Sequence, residues 1–258
     1  MKQLIPSPLG RSVQKAVIGL AAAALLAAAC AKEPPAGPGK LTNPSYTAAQ
    51  FDDIAQRVFG PIYPYLAKQV VQDYGITEGV AVDAGCGPGY WAVELARITS
   101  LQITALDLDP EAVAISRRNI AAAGLEGRIR AVQGDIEALP FKDESVDLVV
   151  SRGSYPFWKN KAAAFRELLR VLKPGGTAYV GGGLGSLLPA AERTRIREIM
   201  DKEKIGPPQE LEVSFEEMGR ILRQAGIPVF KISRDEGCLC GLWVEFFKPA
   251  EKAGASRL

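Results

Sequence analysis

Val82-Asp83-Ala84-Gly85-Cys86-Gly87-Pro88-Gly89-Tyr90-Trp91 is the stretch on which the fold of this chain turns. Ahead of it, Val80-Ala81-Val82 reads as a short buried strand, and Tyr90 to Ile98 reads as a helix. A glycine-rich turn between a first strand and the helix after it is where a nucleotide loop must sit. Glycine permits the tight turn and lets a ligand approach the backbone closely. The spacing here is G-x-G-x-G, tighter than the dinucleotide pattern. Pro88 also removes a backbone donor that a pyrophosphate would use, which tilts the ligand away from a dinucleotide.

Outward from this stretch the chain alternates strands and helices. Leu101 to Leu106 is a second strand, and Asp109-Pro110 starts a helix with Asp as N-cap and Pro at the first helical position, ended by Gly124. Strands follow around Arg128 to Val132, Val146 to Val150 and Thr177 to Val180. Between the last two, a helix from about Trp158 to Leu172 turns Trp158, Ala162, Phe165, Leu168, Leu169 and Leu172 to the sheet and stops at Pro174-Gly175-Gly176. Ser214 and Glu217 form a capping box for a helix with Phe215, Met218, Leu222 and Ala225 on its apolar side. Strands near Pro228 to Ile232 and Leu239 to Phe247 complete the series. Before the first strand, Tyr46 to Tyr74 is helical and is broken into pieces by Pro61 and Pro64, while Gly181 to Gln209 reads as a loop or lid. This alternation predicts an α/β fold, a mainly parallel sheet with helices on both faces.

Three further blocks carry chemistry. Leu106-Asp107-Leu108-Asp109 ends the second strand, roughly 22 residues after Gly85, where a carboxylate can accept both ribose hydroxyls. Gly134-Asp135-Ile136-Glu137-Ala138-Leu139-Pro140-Phe141 and Val171-Leu172-Lys173-Pro174-Gly175-Gly176 follow in order. Together the four blocks resemble the class I S-adenosylmethionine-dependent methyltransferases, particularly the small-molecule group called type 11, over about Tyr46 to Phe247.

The resemblance implies a Rossmann-like sheet of seven strands with an antiparallel last strand, and S-adenosyl-L-methionine as cofactor. It implies that Asp83, Gly85, Cys86, Gly87 and Gly89 line the methionine end and that Asp107, with Leu108 beside it, binds the ribose. Asp135 would bond the adenine amino group, with Ile136 beside the ring and Ser151 completing the cofactor set. The Asn/Asp-Pro-Pro-Tyr/Phe tetrapeptide of amino-methyltransferases is absent, which argues against methylation of nucleic-acid bases.

The acceptor side is read from Ser151-Arg152-Gly153-Ser154-Tyr155-Pro156-Phe157-Trp158, because functional loops in such folds lie at the carboxyl ends of strands. Tyr155, Phe157 or Trp158 can stack on a sulfonium or on substrate, or simply pack the next helix. Arg152 can recognise an anionic substrate or pair with a surface acid. Ser151, Arg152 and Tyr155 are the acceptor-side candidates. Cys238 and Cys240 alternate along the approach to the last strand and, with Cys86, are candidates for holding a soft metalloid; two small buried residues is the competing reading. Gly181-Gly182-Gly183-Leu184-Gly185 lacks the Lys-Ser/Thr ending of a phosphate loop and reads as a flexible loop.

Composition narrows the chemistry further. The chain has 258 residues and no histidine, which excludes His-based triads, His-ligated metals and imidazole bases. Any base would be a carboxylate, Tyr or Lys. The net charge of +2 includes about +4 from Lys2, Arg11, Lys15, Lys32 and Lys40 against Glu33, leaving about −2 on the rest. A domain so charged offers no general pull on polyanions, so a small molecule rather than nucleic acid is the expected partner.

Residues 1–30 have the layout of a secretory leader: Lys2, Arg11 and Lys15, then an apolar run from Ala16 to Ala29, then Cys30. Leu26-Ala27-Ala28-Ala29-Cys30 resembles a bacterial lipoprotein processing site, with Ala27 where Leu is usual. Lipidated Cys30 would attach the protein to a membrane. A misassigned start, with a cytoplasmic enzyme, is the alternative. Residues 31–45 read as a flexible linker, 46–248 as the methyltransferase domain and 249–258 as a tail. Two other functions compete with methyl transfer to a small molecule: a non-catalytic S-adenosylmethionine-binding protein, and an NAD(P)-dependent oxidoreductase. The second would need a catalytic Tyr-Lys pair or its equivalent.

Overall fold

The computed structural model describes residues 46–235 and 241–249. The leader, the linker, Cys30, Cys238, Cys240 and the tail after residue 249 lie outside the described residues. Among the described residues no helix is long and apolar enough to cross a membrane.

One seven-stranded sheet runs β3-β2-β1-β4-β5-β7-β6. Its strands are β1 (Val80–Ala84), β2 (Gln102–Asp107), β3 (Ile129–Gln133), β4 (Val146–Arg152), β5 (Leu172–Gly181), β6 (Phe230–Ser233) and β7 (Trp243–Phe247). β1 to β5 pair in parallel, and β7 runs antiparallel to both of its neighbours, β5 and β6. The strand order reverses between β1 and β4, so the carboxyl ends of these two strands open the crevice where ligands bind in open α/β sheets.

Helices cover both faces. On one lie α2 (Ile62–Tyr74), α3 (Tyr90–Ile98) and α4 (Pro110–Ala122), whose Leu66, Leu95 and Ile120 pack on Ala81, Ile103 and Val150. On the other lie α5 (Lys161–Val171) and α7 (Phe215–Gln224), whose Phe165, Leu168, Met218 and Leu222 pack on Val82, Val149 and Phe246. Val149 and Val150 go to opposite faces because side chains alternate along a strand. α1 (Ala48–Arg57) precedes these and is started by a full capping box. Thr47 Oγ1 accepts from Gln50 N (3.2 Å), and Gln50 Oε1 accepts from Thr47 N (2.9 Å).

Several expectations need correction. Pro64 does not break its helix; it lies in the first turn of α2, where its missing N–H has no intrahelical partner to lose. The helix expected from Trp158 begins at Lys161, because Asn160 Oδ1 accepts from Ala163 N (3.0 Å) and caps it there, while Tyr155–Phe157 form a separate 3-10 turn. Phe215 is exposed rather than buried, and the Arg234 guanidinium lies 5.2 Å from its ring centroid. Ser214 Oγ accepts from Glu217 N (3.1 Å), the cap bond expected there.

The largest departure is α6 (Ala190–Glu203), a helix where a loop or lid was expected. Its sequence shows no apolar face because only Ile196 is buried along it. Nor is the glycine stretch before α6 a free loop. Asp235 Oδ2 accepts from Leu184 N (2.6 Å) and Gly185 N (2.9 Å), so the donors that a phosphate would need are already taken. Arg193 NH2 ties α6 to the same stretch through Gly185 O (2.8 Å).

Under this stretch Tyr179 and Trp243 stack at 4.3 Å between centroids, with Trp91 edge-on to both. The neighbouring Gly181 lies directly opposite Trp243 in the sheet, and a Cβ there would collide with the Trp243 ring and the Leu242 carbonyl. Gly181→Ala is therefore expected to cost about 1–3 kcal/mol in urea denaturation, the usual range for overpacking a close-packed interior. Gly127→Ala, where a Cβ meets nothing, serves as the control and should leave the midpoint almost unmoved.

Candidate active site

The cleft at the β1/β4 crossover is built on the turn after β1. Gly85, Gly87 and Gly89 all have positive φ (72°, 51° and 82°). A Cβ on Gly85 would collide with Ser154, and one on Gly89 with Ser116. The G-x-G-x-G spacing is thus required by backbone conformation at all three positions and by close packing at two. Gly85 N and Cys86 N both donate to Leu106 O (2.7 and 3.0 Å), which fastens the turn to the end of β2.

Asp107 completes that attachment. Its Oδ2 accepts from Gly87 N (2.8 Å) and its Oδ1 from Asp109 N (3.0 Å). Burial raises its pKa, and the bonds from Asp109 and Gly87 pull in the opposite direction. Each oxygen keeps a second lone pair, so the carboxylate can still accept ribose hydroxyls. Asp109 in turn caps α4 through Glu111 N (2.9 Å).

Gly85, Gly87, Asp107, Leu108, Asp135 and Ile136 line the cleft, and Asp83 does not. Asp135 Oδ1 caps the 3-10 turn Ile136–Ala138 by accepting from Glu137 N (2.9 Å). Its second oxygen is left for a ligand. Gly89 and Cys86 shape the turn from behind the cleft wall. Burial raises the Cys86 thiol well above its usual range, so it remains a neutral thiol. Among the described residues no group of three or more His, Cys, Asp or Glu is placed to hold a metal ion.

Asp83 is buried beneath the turn. It accepts from Ala92 N at the start of α3, while Oδ2 has no partner. Burial is the main cause of its pKa being raised from 3.8 to about 7, and the charge of Asp107 adds to it.

The candidates after β4 separate on inspection. Ser151 is fully buried, its Oγ 2.6 Å from Ser154 Oγ, and does not line the cleft; Arg152, Gly153 and Ser154 do. Tyr155 faces away from the cofactor cleft into a second cavity of about 570 Å³, and its hydroxyl accepts from Leu242 N (3.4 Å). Phe157 and Trp158 line the cofactor cleft, with Trp158 Nε1 donating to Ser154 Oγ (3.1 Å). The two cavities meet at Gly153.

The sequence reading missed one wall entirely. Tyr46, Thr47 and Phe51, at and before the first turn of α1, cover the cleft. α1 is held there by Asp52, which accepts from Tyr90 Oη (2.9 Å), Arg118 NH2 (2.5 Å) and Asn119 Nδ2 (3.1 Å). The T-x-x-Q capping box before Phe51 was the available signal.

Comparison with known proteins agrees with this geometry. Residues 82–180 match the model of a methyltransferase domain family. The fold superposes with a TM-score of 0.71 on a crystal structure from Methanococcus maripaludis described as an S-adenosyl-L-methionine-dependent methyltransferase. The two are 33% identical, and the match covers 86% of this chain and 100% of that one. A ubiquinone/menaquinone biosynthesis C-methyltransferase of Marinomonas is 28% identical over 136 residues, 52% of this chain and 54% of its own. A sterol 24-C-methyltransferase of Gibberella zeae is 34% identical over 113 residues, 43% of this chain and 29% of its own. The chain thus spans only about half, or less, of the length of these two curated relatives.

The chain belongs to the class I S-adenosylmethionine-dependent methyltransferases, in the type 11 group. Its cofactor is S-adenosyl-L-methionine, and the residues present fit it. Asp107 at the end of β2 would hold the ribose, and Asp135 with Ile136 would meet the adenine; all three line the cleft, while Asp83, with one unpartnered oxygen, lies buried beneath the turn.

Two outcomes test this assembly. Asp107→Asn leaves one oxygen to serve two backbone donors and the ribose, so calorimetry should show S-adenosylhomocysteine binding weakened by about 1.5–3 kcal/mol, roughly tenfold to a hundredfold. For Asp83, the folded pKa of about 7 lies above the ordinary 3.8, so its proton stabilises the native state fully below 3.8. That contribution is lost as pH rises through about 7. Asp83→Asn is neutral throughout, so its stability relative to wild type should improve between about pH 5 and about pH 8 in ligand-free denaturation series. A pH-independent difference would contradict the assignment.

Proposed function

We propose that the protein transfers the methyl group of S-adenosylmethionine to a small-molecule acceptor held in the second cavity. The observation that carries this reading is the meeting of the two cavities at Gly153, the residue after β4. A cofactor in one and an acceptor in the other would face each other across that backbone. The bound cofactor supplies an activated methyl group on a sulfonium, which is the hard part of the chemistry. The chain's own residues then orient the acceptor for in-line attack and keep water out. Trp158, fixed by Ser154, and Phe157 present aromatic surface on the cofactor side.

Tyr155, Met200, Ile205, Val213 and Leu242 give the second cavity apolar walls, with Lys204, Glu212 and Arg234 among its polar groups. Such a lining suits an acceptor with an apolar body and a polar head. The curated relatives named for ubiquinone/menaquinone and sterol methylation support an acceptor of that kind. Where the acceptor must lose a proton, Asp201 and Glu212 are the carboxylates lining that cavity that can take one.

Titration calorimetry of the full chain should give micromolar binding of S-adenosylmethionine and none of NAD. Methyl-labelled cofactor with a panel of hydroquinones and sterols should then yield labelled product. Met200→Trp, which fills the second cavity, should lower kcat/KM for the acceptor by about tenfold, near 1.4 kcal/mol of transition-state binding. Cofactor affinity should stay unchanged. Cofactor binding without label transfer to any acceptor, including those beyond the panel, would favour a binding protein over an enzyme.

A further inference from the structure

Two walls of the molecule, one beside each cavity, are joined directly to each other. On the cofactor side Tyr46, Thr47 and Phe51 cover the cleft, and a Cβ on Gly87 would press on the Phe51 ring, so α1 rests on the glycine turn itself. On the other side α6 and the residues just after it supply Met200, Asp201, Lys204 and Ile205 to the second cavity. Two contacts bolt one wall to the other. Tyr46 Oη donates to Lys204 O (3.3 Å). Arg57, the last residue of α1, forms a two-bond pair with Glu203, the last of α6: NH1 to Oε1 at 2.9 Å and NH2 to Oε2 at 2.8 Å. A residue lining the cofactor cleft thus bonds to a residue lining the second cavity.

The end of α6 is suited to being set from outside. Only Ile196 is buried along the helix, and Arg193 ties its earlier turns to Gly185 O. Lys204 closes the helix in the left-handed region, with φ of 54°, which a residue with a Cβ keeps only where its surroundings hold it. The Tyr46 hydroxyl grips the carbonyl of that same residue. Elements with few buried contacts lie at the low end of local stability, and those are the elements that respond to ligands. An exposed ion pair adds little to folding stability, so the two-bond geometry of Arg57 and Glu203 matters here as a register between two helix ends.

We infer that Tyr46 and Arg57 are positioning residues: through Lys204 O and Glu203 they set the carboxyl end of α6, so that a cofactor bound under α1 fixes the wall of the second cavity. Order imposed on α1 by a ligand in the cleft passes through the two contacts to Met200 and Lys204. By linkage, a ligand in the second cavity favours cofactor binding to the same extent. The inference rests on the proposed function for what the second cavity holds, but its test needs no acceptor.

That test is amide hydrogen exchange on the full chain with and without saturating S-adenosylhomocysteine. In the wild type the bound compound should slow exchange across residues 197–205 about tenfold, within the usual range of coupling between two sites. In a Tyr46→Phe, Arg57→Ala double variant that slowing should vanish while it persists in the glycine turn, which shows the variant to be folded and occupied. Arg57→Glu alone should lose most of the slowing, and Arg57→Glu with Glu203→Arg should regain part of it. A merely structural contact would quicken exchange in α6 equally with and without ligand and leave the slowing intact. That result would overturn the inference, as would an occupied wild-type chain with no slowing in α6. Failure of the wild type to bind the compound would instead remove the cofactor assignment and the inference with it, whereas failure to label any acceptor counts against the proposed function alone.

Discussion

The Asp107 carboxylate ties together two turns at the ends of β1 and β2. Through one oxygen it holds Gly87 of the loop after β1, and through the other Asp109 at the entrance to α4. The loop's own backbone is held by Leu106 O on the same strand end. The glycine turn, the second strand and the fourth helix thus meet at this strand end as their shared anchor, where Asn119 Nδ2 of α4 also donates to Pro88 O of the turn (3.0 Å). Because α4 then carries Arg118 and Asn119 to Asp52, the anchor extends to α1 and the wall that covers the cleft. Shape on both sides of the cofactor site follows from where one carboxylate can reach.

That anchor also sets the electrostatics. Asp83 sits out of water, and the charge of Asp107 adds to the cost of ionising it. The arrangement opposes stability in the empty protein and favours a ligand with positive charge. Arg152, on the same face of the sheet, is held by Gly183 O and Tyr63 and lies over the Phe59 ring.

Much of this was legible in the sequence because its determinants are local. The strand-turn-helix at Val82 to Trp91 depends on positive φ at glycine, and Asp109-Pro110 on cap chemistry, both read directly from residue type. The alternation of β1 to β5 followed from the spacing of apolar runs, since buried parallel strands need them. The bonds of Asp107 to backbone were not legible, because a carboxylate at a strand end looks the same whether it holds a ribose or a loop. α6 was missed for a different reason. A helix with a single buried residue, Ile196, leaves no period to detect, and Arg193 ties it to carbonyls of the glycine stretch just before it. Where one polar side chain replaces an apolar face, periodicity carries no information.

The residues after β4 illustrate how far register decides chemistry. Ser151, Arg152 and Tyr155 belong to one short run and were read together as facing an acceptor, yet they go to three places. Ser151 points into the interior, where it meets Ser154, and Arg152 lies on the opposite face with Phe59 and Tyr63. Tyr155, past the strand and inside a 3-10 turn, reaches the second cavity and Leu242. Strand alternation separates the first two, and the turn, which abandons that alternation, releases the third. The two cavities therefore share a lining residue inside this run, Gly153, which follows the strand with a positive φ of 77° and where a Cβ would meet nothing.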